Sequence, residues 1–412
     1  MRVAVVGTGG REHALAACMA RTADVVVTPG NPGMPYATAQ PVEELDVDLV
    51  VVGPETPLVD GLADRLRARG TAVFGPGADG ARLEGSKAWM KDVLVGAGVA
   101  TAGHGTFVDV AAAESFLDTM GDLFVIKTDG LAAGKGVLVT TSRAEASAAV
   151  REYLSGERFG AAGQCIVIEE GLTGPEVSLL VLCDGERLEP LAPAQDYKRV
   201  GTGDAGPNTG GMGAYSPVAA VDAALVHSLI DGIVAPTLHE LRRRGIDYRG
   251  VLYAGLMLTP TGPKVIEYNV RFGDPETQVV LPRFSGDLAS LLYQAATGRL
   301  VDRARFVDDV AVTVVCAAEG YPGPVRLGDR IEGLDAASQV EGVQIFAAGV
   351  RADQTGALVT AGGRVLDITA VASTMAAARE RAYEAVGRLS WPGMHARRDI
   401  ALFTPTTSEA TP

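Results

Sequence analysis

Residues 123–140 read LFVIKTDGLAAGKGVLVT, in which two apolar runs, Leu123 to Lys127 and Val137 to Thr140, flank a glycine-rich turn carrying a lysine toward either end. Short apolar runs bounded by turn residues predict paired strands, and glycines let the connection bend tightly and lie close to a bound group. A hairpin flap that covers phosphates fits this stretch, with Gly134, Lys135 and Gly136 in its turn. It is not a Walker A loop: three residues rather than four separate Gly130 from Gly134, and Gly136 stands where Ser or Thr belongs. Lys127, closing the first strand, would reach phosphates as a point charge.

Upstream, apolar strands at Val3 to Val6, Val25 to Thr28, Leu49 to Val52 and Ala72 to Phe74 alternate with helical stretches. That alternation predicts a parallel α/β sheet. The first strand runs into Gly7-Thr8-Gly9-Gly10-Arg11-Glu12-His13, where a tight turn opens a helix whose free N–H groups suit an anion. Gly9 and Gly10 would approach a phosphate, Arg11 would add a charged fork, and Glu12 and His13 would meet hydroxyl or amine groups. A dinucleotide fingerprint is not met, because Glu12 replaces the third glycine and no acid ends the second strand. The loops Gly30-Asn31-Pro32-Gly33 and Gly53-Pro54-Glu55 lie at the sheet's carboxyl edge, so Asn31 and Glu55 would complete the pocket.

Downstream, a helix over Ser86 to Ala97 precedes a second unit, and the strand Ile166 to Glu169 ends where Glu169 and Glu170 could offer backbone groups to an adenine edge. DYKRVGTGDAGPNTGGMGAYSP, residues 196–217, holds six glycines and no apolar periodicity, which predicts a functional loop without regular structure. Strands return at Val251 to Leu258 and Lys264 to Tyr268. In KVIEYNVRFGDPE, residues 264–276, alternate residues of a strand share a face, so Glu267, Asn269 and Arg271 would project together. Hard oxygen ligands beside a guanidinium suit a Mg²⁺-nucleotide. Strands near Val310 to Cys316, Ile345 to Val350 and Val365 to Val371, then a helix over Thr374 to Leu389, predict a small β-rich C-terminal domain.

The expected architecture is therefore α/β and multidomain: a parallel α/β domain over 1–99, a central domain over 100–305 with its flap at about 111–183, a β-rich domain over 306–405 and a disordered tail over 406–412. A net charge of −14 argues against nucleic acid as a partner. Four scattered cysteines without a CxxC pair suggest buried thiols rather than disulfides or a zinc site. No apolar run approaches the roughly 20 residues of a membrane span, and no signal-peptide pattern opens the chain, so a cytoplasmic enzyme is expected.

The segments GGREHAL, GNPG, VVVGPE, EGSKAWMKD, IKTDGLAAGKGV, QDYKRVGTGDAGPNTGGMGAYSP, VLYAGLM and KVIEYNVRFGDPETQ closely resemble, in order and over nearly the whole chain, the phosphoribosylamine–glycine ligase family of the ATP-grasp superfamily. The resemblance implies a pre-ATP-grasp N-terminal domain, central ATP-grasp domains, and ligation of glycine to 5-phosphoribosylamine through a glycyl phosphate. It places the reaction in purine synthesis, with ATP as co-substrate, Mg²⁺ or Mn²⁺ as metal, and a monomer as the working unit.

It also implies roles for single residues. Gly9, Gly10, Arg11 and Glu12 hold the ribose phosphate; Lys87 and Lys127 meet nucleotide phosphates under the flap carrying Gly134, Lys135 and Gly136. Glu169, Glu170 and Leu172 line the adenine and Glu176 the ribose, while Glu267 and Asn269 ligate the metal. Arg271 stabilises the transferring phosphoryl. Asp196 grips an amine, and Gly211 and Asp274 join Asn31 and Glu55 around the substrates. In one departure, residues 75–81 lack the threonine and lysine of many relatives, so no phosphate contact is assigned there.

Overall fold

The computed structural model describes residues 1–132 and 136–403. Gly134, Lys135 and the expected tail at 406–412 lie outside the described residues.

Strands β1 (Arg2–Gly7), β2 (Asp24–Pro29), β3 (Leu49–Val52) and β4 (Ala72–Phe74) form one parallel sheet in the order β2-β1-β3-β4. Its strands are apolar run by run because both faces are covered, as parallel sheets require. Val3 and Val5 enter one core with Leu180, Leu182 and the helix Leu288–Ala296. Ala4 and Val6 enter another with Leu179, Val181 and the helices Lys87–Ala97 and Ala235–Arg243.

A second sheet, β5 (His104–Phe107), β6 (Phe124–Thr128), β7 (Val137–Thr140) and β8 (Ile166–Glu170), runs β5-β8-β6-β7 and is antiparallel throughout. The expected hairpin is the β6–β7 pair. This unit has its own core of Leu117, Phe124, Ile126, Val150, Tyr153, Ile166 and Ile168, apart from the cores beneath it. Its sheet spans 104–170 rather than 111–183, because β9 (Glu176–Asp184) belongs elsewhere: it pairs with β10 (Leu188–Pro190) and β15 (Arg249–Thr259), which in turn pairs with β16 (Gly262–Asn269).

The glycine-rich stretch 196–217 is not structureless. It holds β11 (Gln195–Asp196), the ribbon of β12 (Arg199–Gly201) and β13 (Ala205–Asn208), and β14 (Gly213–Ser216). Backbone pairing rather than apolar alternation orders it, so periodicity could not reveal it. β14 pairs with β17 (Val310–Ala317), and the C-terminal sheet runs β11-β14-β17-β21-β18, with β18 (Val343–Ala347) and β21 (Arg364–Ala372). A short ribbon of β19 (Val350–Ala352) and β20 (Leu358–Thr360) and the helix Met375–Arg388 complete that domain. The C-terminal sheet thus borrows two strands from the middle of the chain. Cys18, Cys183 and Cys316 are buried thiols as expected, whereas Cys165 is half-buried. No helix among the described residues is long and apolar enough to cross a membrane.

Leu182 has no exposed surface and packs where β9 meets the N-terminal sheet. Leu182→Ala is expected to cost about 3 kcal/mol of stability through lost burial and the cavity left behind. Denaturant unfolding followed by circular dichroism checks this; an unchanged midpoint would remove Leu182 from the shared core.

Candidate active site

Among the cations of the site, Lys127, Lys91, Lys198 and Arg271 are each held by a carboxylate. Lys127, at the end of β6, lies 2.8 Å from Glu169 Oε1 and donates to Ile266 O at 3.2 Å. Lys91, on the helix Lys87–Ala97, lies 3.0 Å from Glu169 Oε2 and donates to Thr101 Oγ1 at 2.7 Å. Burial alone would raise the Glu169 carboxyl, but the two lysines hold it below the ordinary range. Burial presses Lys91 down to about 8 against the pull of Glu169. Strand alternation sends Glu170 to the opposite face, where it accepts from Lys264 and Gly103 N, each at 2.9 Å. Its carboxylate is therefore directed away from Lys127. Leu172 follows β8 half-buried, and its N–H has no intrachain acceptor among the described residues.

The flap turn is anchored at its first residue. Ser86 caps the helix Lys87–Ala97 by accepting from Trp89 N, and Asp129 accepts from Ser86 Oγ at 3.0 Å and Ala88 N at 2.7 Å. Lys87 Nζ donates to Gly130 O at 3.2 Å, and burial lowers its pKa although Glu267 opposes the shift. At the other end Thr128 N donates to Gly136 O at 2.8 Å, and a Cβ on Gly136 would fall 2.1 Å from Thr128 Oγ1. Only glycine lets the hairpin close there.

Glu267 and Asn269 share a face of β16, as alternation requires. Burial would raise Glu267, but Lys198, Lys127, Lys87 and Arg271 together hold it below the ordinary range. Arg271 donates to Asn269 Oδ1 at 3.2 Å, to Glu84 Oε1 at 3.0 Å and to Glu55 Oε2 at 3.4 Å. Burial would lower it, yet those carboxylates raise it above its usual value. Glu84 also accepts from Val270 N at 2.8 Å, fixing the strand end from which Arg271 projects.

Beside this face, Lys198 lies 2.6 Å from Glu176 and is raised well above its ordinary value, burial being outweighed by Asp196 and Glu176. Burial pushes Asp196 up to about 7, against Lys198 and with Glu276, Glu176 and Glu267 adding to it. Glu276 accepts from Tyr253 Oη at 2.5 Å and Ser178 Oγ at 3.2 Å. Gly211, at φ +112°, lets its backbone pass Pro275, whose Cδ a Cβ would meet at 2.4 Å.

The N-terminal glycine loop meets the same segment from the other side. Arg11 Nη1 donates to Phe272 O at 3.2 Å. Glu12 is folded back rather than free: it accepts from Gly9 N at 2.6 Å and Arg11 Nε at 2.5 Å, and its carboxyl fills the space a Cβ on Gly53 would need. His13, lowered to about 4 by burial, is neutral and accepts from Ala347 N at 2.9 Å. Asn31 is likewise committed internally, donating to Thr8 O at 2.8 Å and to Ala347 O and Ala348 O at 3.1 Å, and accepting from Gly33 N. Glu12, His13 and Asn31 thus shape the loop and tie it to the C-terminal domain.

Asp274 lies 2.9 Å from Arg364 Nη2 and accepts from Gln278 Nε2 at 2.7 Å. Burial would raise Asp274, but Arg364 first and then Arg11 hold it below its ordinary range. Sequence reasoning missed Glu84, Lys91, Lys198, Glu276 and Arg364. Lys91 carried a usable signal: it lies four residues after Lys87, a spacing that puts both on one helix face.

Glu267 and Asn269 fit a divalent cation only in company. No group of three or more His, Cys, Asp or Glu among the described residues could hold a metal alone, so the remaining ligands must be phosphate oxygens or water. Four cations around two oxygen ligands, next to a second anion site at a helix start, can align a polyphosphate with an acid and an amine.

Comparison with known proteins agrees along the whole chain. Residues 1–84, 85–277 and 311–402 match the phosphoribosylglycinamide synthetase N domain, ATP-grasp (A) domain and C domain. The phosphoribosylamine–glycine ligases of Mesorhizobium japonicum and Streptomyces coelicolor are each 48% identical, covering 97% of this chain and 97% and 99% of theirs. The crystal structure of the Thermotoga maritima phosphoribosylamine–glycine ligase superposes with a TM-score of 0.88 at 34% identity, over 97% of this chain and 100% of that one. A biotin carboxylase domain from Hydrogenobacter thermophilus shares the fold, with a TM-score of 0.72 at 18% identity over 96% of this chain and 91% of that one. The chain belongs to the phosphoribosylglycinamide synthetase family of ATP-grasp ligases.

Proposed function

We propose that the chain joins glycine to 5-phosphoribosylamine in two steps, with a division of labour legible in its own side chains. The glycine carboxylate attacks the γ-phosphorus of ATP, the bond to the β–γ bridging oxygen breaks, and ADP leaves. The amine nitrogen of phosphoribosylamine then attacks the acyl carbon of glycyl phosphate, inorganic phosphate leaves, and the amine's proton passes to solvent. Glycinamide ribonucleotide, an intermediate of purine synthesis, is the product.

The observation that carries this reading is the segment from Glu267 to Gln278. One end places Glu267, Asn269 and Arg271 among Lys87, Lys127 and Lys198; the other, through Phe272 O and Asp274, reaches the helix start at Gly9 to Arg11. The phosphoryl site and a phosphate-binding helix start are thus consecutive along one chain segment. Phosphoryl transfer needs alignment and cations more than a protein nucleophile.

Glu267 and Asn269 would hold Mg²⁺ or Mn²⁺, which when bound neutralises β- and γ-phosphate charge. Arg271, kept charged by Glu84 and Glu55, stabilises the transferring phosphoryl group. Lys87 and Lys127 grip phosphates beneath the flap, and Gly134, Lys135 and Gly136 are assigned to the nucleotide. Glu169 orients Lys127, Leu172 offers its N–H to the adenine edge, and Glu176 and Asp196 face the ribose and the amine. Glu12, Asn31 and Gly211 shape the walls between which the amine substrate's ribose phosphate meets Gly10 and Arg11.

Three measurements test the proposal. ADP release with ATP, Mg²⁺, glycine and freshly generated phosphoribosylamine should require all four, with glycinamide ribonucleotide detected by mass; ADP formed without glycine would sink the substrate assignment. Arg271→Ala should lower kcat about 100-fold or more while ATP still binds, as expected for a group acting on developing charge. Near-normal turnover would exclude Arg271 from the phosphoryl site. Glu267→Gln should raise the Mg²⁺ concentration for half-maximal activity at least about tenfold, since losing even an outer partner of a metal ligand costs that much; an unchanged Mg²⁺ dependence would move the metal elsewhere.

A further inference from the structure

Asp367, on β21 of the C-terminal sheet, reaches across to the N-terminal domain. Its Oδ2 lies so close to Gly10 that a Cβ there would stand 1.8 Å from it, so glycine at position 10 and the carboxyl at 367 require each other. The helix Gly10–Met19 makes its first i→i−4 bond from His13 N to Gly9 O. The N–H groups of Gly10, Arg11 and Glu12 therefore have no acceptor within the helix.

Two oxygens beside them are also unpartnered. Asp367 Oδ1 and Gln278 Oε1 are buried without hydrogen-bond partners among the described residues, although Gln278 Nε2 donates to Asp367 Oδ2 at 2.9 Å and to Asp274 Oδ1 at 2.7 Å. Asp367 is 1% exposed and Gln278 fully buried. A buried carboxyl oxygen without a donor gains most if it carries a proton and gives it to an incoming acceptor.

We propose that Asp367 is part of the cradle for the amine substrate's phosphate, entering it as a neutral carboxylic acid that donates its proton toward a phosphate oxygen. This rests on the phosphate site at the start of the helix Gly10–Met19. Arg364 pulls Asp367 toward ionisation, and the other charged or titratable groups packed around it are paired or neutral. On the helix side stand Arg11, already paired with Glu12, and His13, held neutral by burial. From the loop before Gln278 comes Asp274, which takes Arg364 as its own partner. From β17 comes Cys316, a buried thiol whose pKa burial raises. Asp274 and Asp367 share one arginine; Asp274 keeps the charge. Burial, then Asp274, pushes Asp367 up to about 7, with Arg364 and Gln278 opposing.

The sign follows by linkage. A phosphate dianion beside Asp367 favours its protonated form, so binding takes up a proton wherever free Asp367 is ionised, and affinity falls as pH rises above about 7. Ribose 5-phosphate is the probe, since it carries the phosphate without the labile amine.

Calorimetry at pH 8 in buffers of different ionisation enthalpy should show about one proton taken up per molecule bound, and affinity should fall about tenfold between pH 7.5 and 8.5. Asp367→Asn keeps the shape and carries a permanent donor; it should take up no proton and change affinity less than about twofold over that range. Zero uptake by the native chain, or a native pH slope in Asp367→Asn, overturns the inference while leaving the phosphate site standing. If ribose 5-phosphate binds neither protein at any pH, the phosphate site fails and this inference with it. Should Asp367→Asn not fold, uptake by the native chain decides alone.

Discussion

The structure depends on keeping cations charged where water is scarce. Lys91, Lys127, Lys87, Lys198 and Arg271 converge on Glu267 and Glu169, and unpaired ammonium groups buried at that density would shed their protons. Carboxylates prevent this, each at the cost of competing with any anion the cations would bind. Glu169 resolves the competition by bridging two lysines rather than one. On the proposed reading, Lys91 goes on compensating Glu169 when Lys127 meets a phosphate, so no uncompensated charge is left behind. Arg271 is treated alike, with Glu84 and Glu55 sharing one guanidinium.

The division into cores says which parts can move. The N-terminal, central and C-terminal sheets interlock: β1 and β9 share two cores, and β14 carries the middle of the chain into the C-terminal sheet. Asn31 and His13 bolt the N-terminal loops to Ala347 and Ala348. The flap sheet has a core of its own and meets the rest through Asp129, the Glu169–Lys91 and Glu170–Lys264 ion pairs and the bond from Lys127 to Ile266 O. A unit opening as one body would need this arrangement, and in the proposed reaction its closure over the acyl phosphate would exclude the water that hydrolyses it.

Much of this was legible in the chain. The parallel sheet, the hairpin flap and the shared face of Glu267, Asn269 and Arg271 follow from strand spacing and glycine placement, which are local. The rest was hidden for physical reasons. Residues 196–217 form strands through backbone bonds, some within the stretch and some from β14 to β17 about a hundred residues away, leaving no mark in side-chain periodicity. Asn31, Glu12 and His13 read as free polar groups because the carbonyls and N–H groups that satisfy them come from residues 8, 9 and 347. Polarity in a glycine-rich loop tells that a partner is needed, not whether the partner is substrate or protein. Glu84 and Arg364 were invisible because pairing across domains is what gives them meaning, and Lys198 because its partner Glu176 lies on a different strand of the same domain.

Two carboxyls, Asp196 half-buried and Asp367 buried, illustrate how one residue type is set in different surroundings. Asp196 and Asp367 are both pushed upward, in each case chiefly by burial with other carboxylates adding to it. What separates them is the cation. Asp196 has Lys198 two residues away on the same chain segment, a partner that leans it toward ionisation and toward gripping an ammonium or amine. Asp367 must share Arg364 with Asp274, and Asp274 lies 2.9 Å from that guanidinium, so the arginine's charge is already matched. A carboxyl beside a cation favours an amine; a carboxyl beside a matched ion pair favours a proton, and with it a phosphate oxygen. On the proposed reading, the amine and phosphate ends of one substrate are distinguished by two aspartates whose difference lies in which neighbour holds the nearest positive charge.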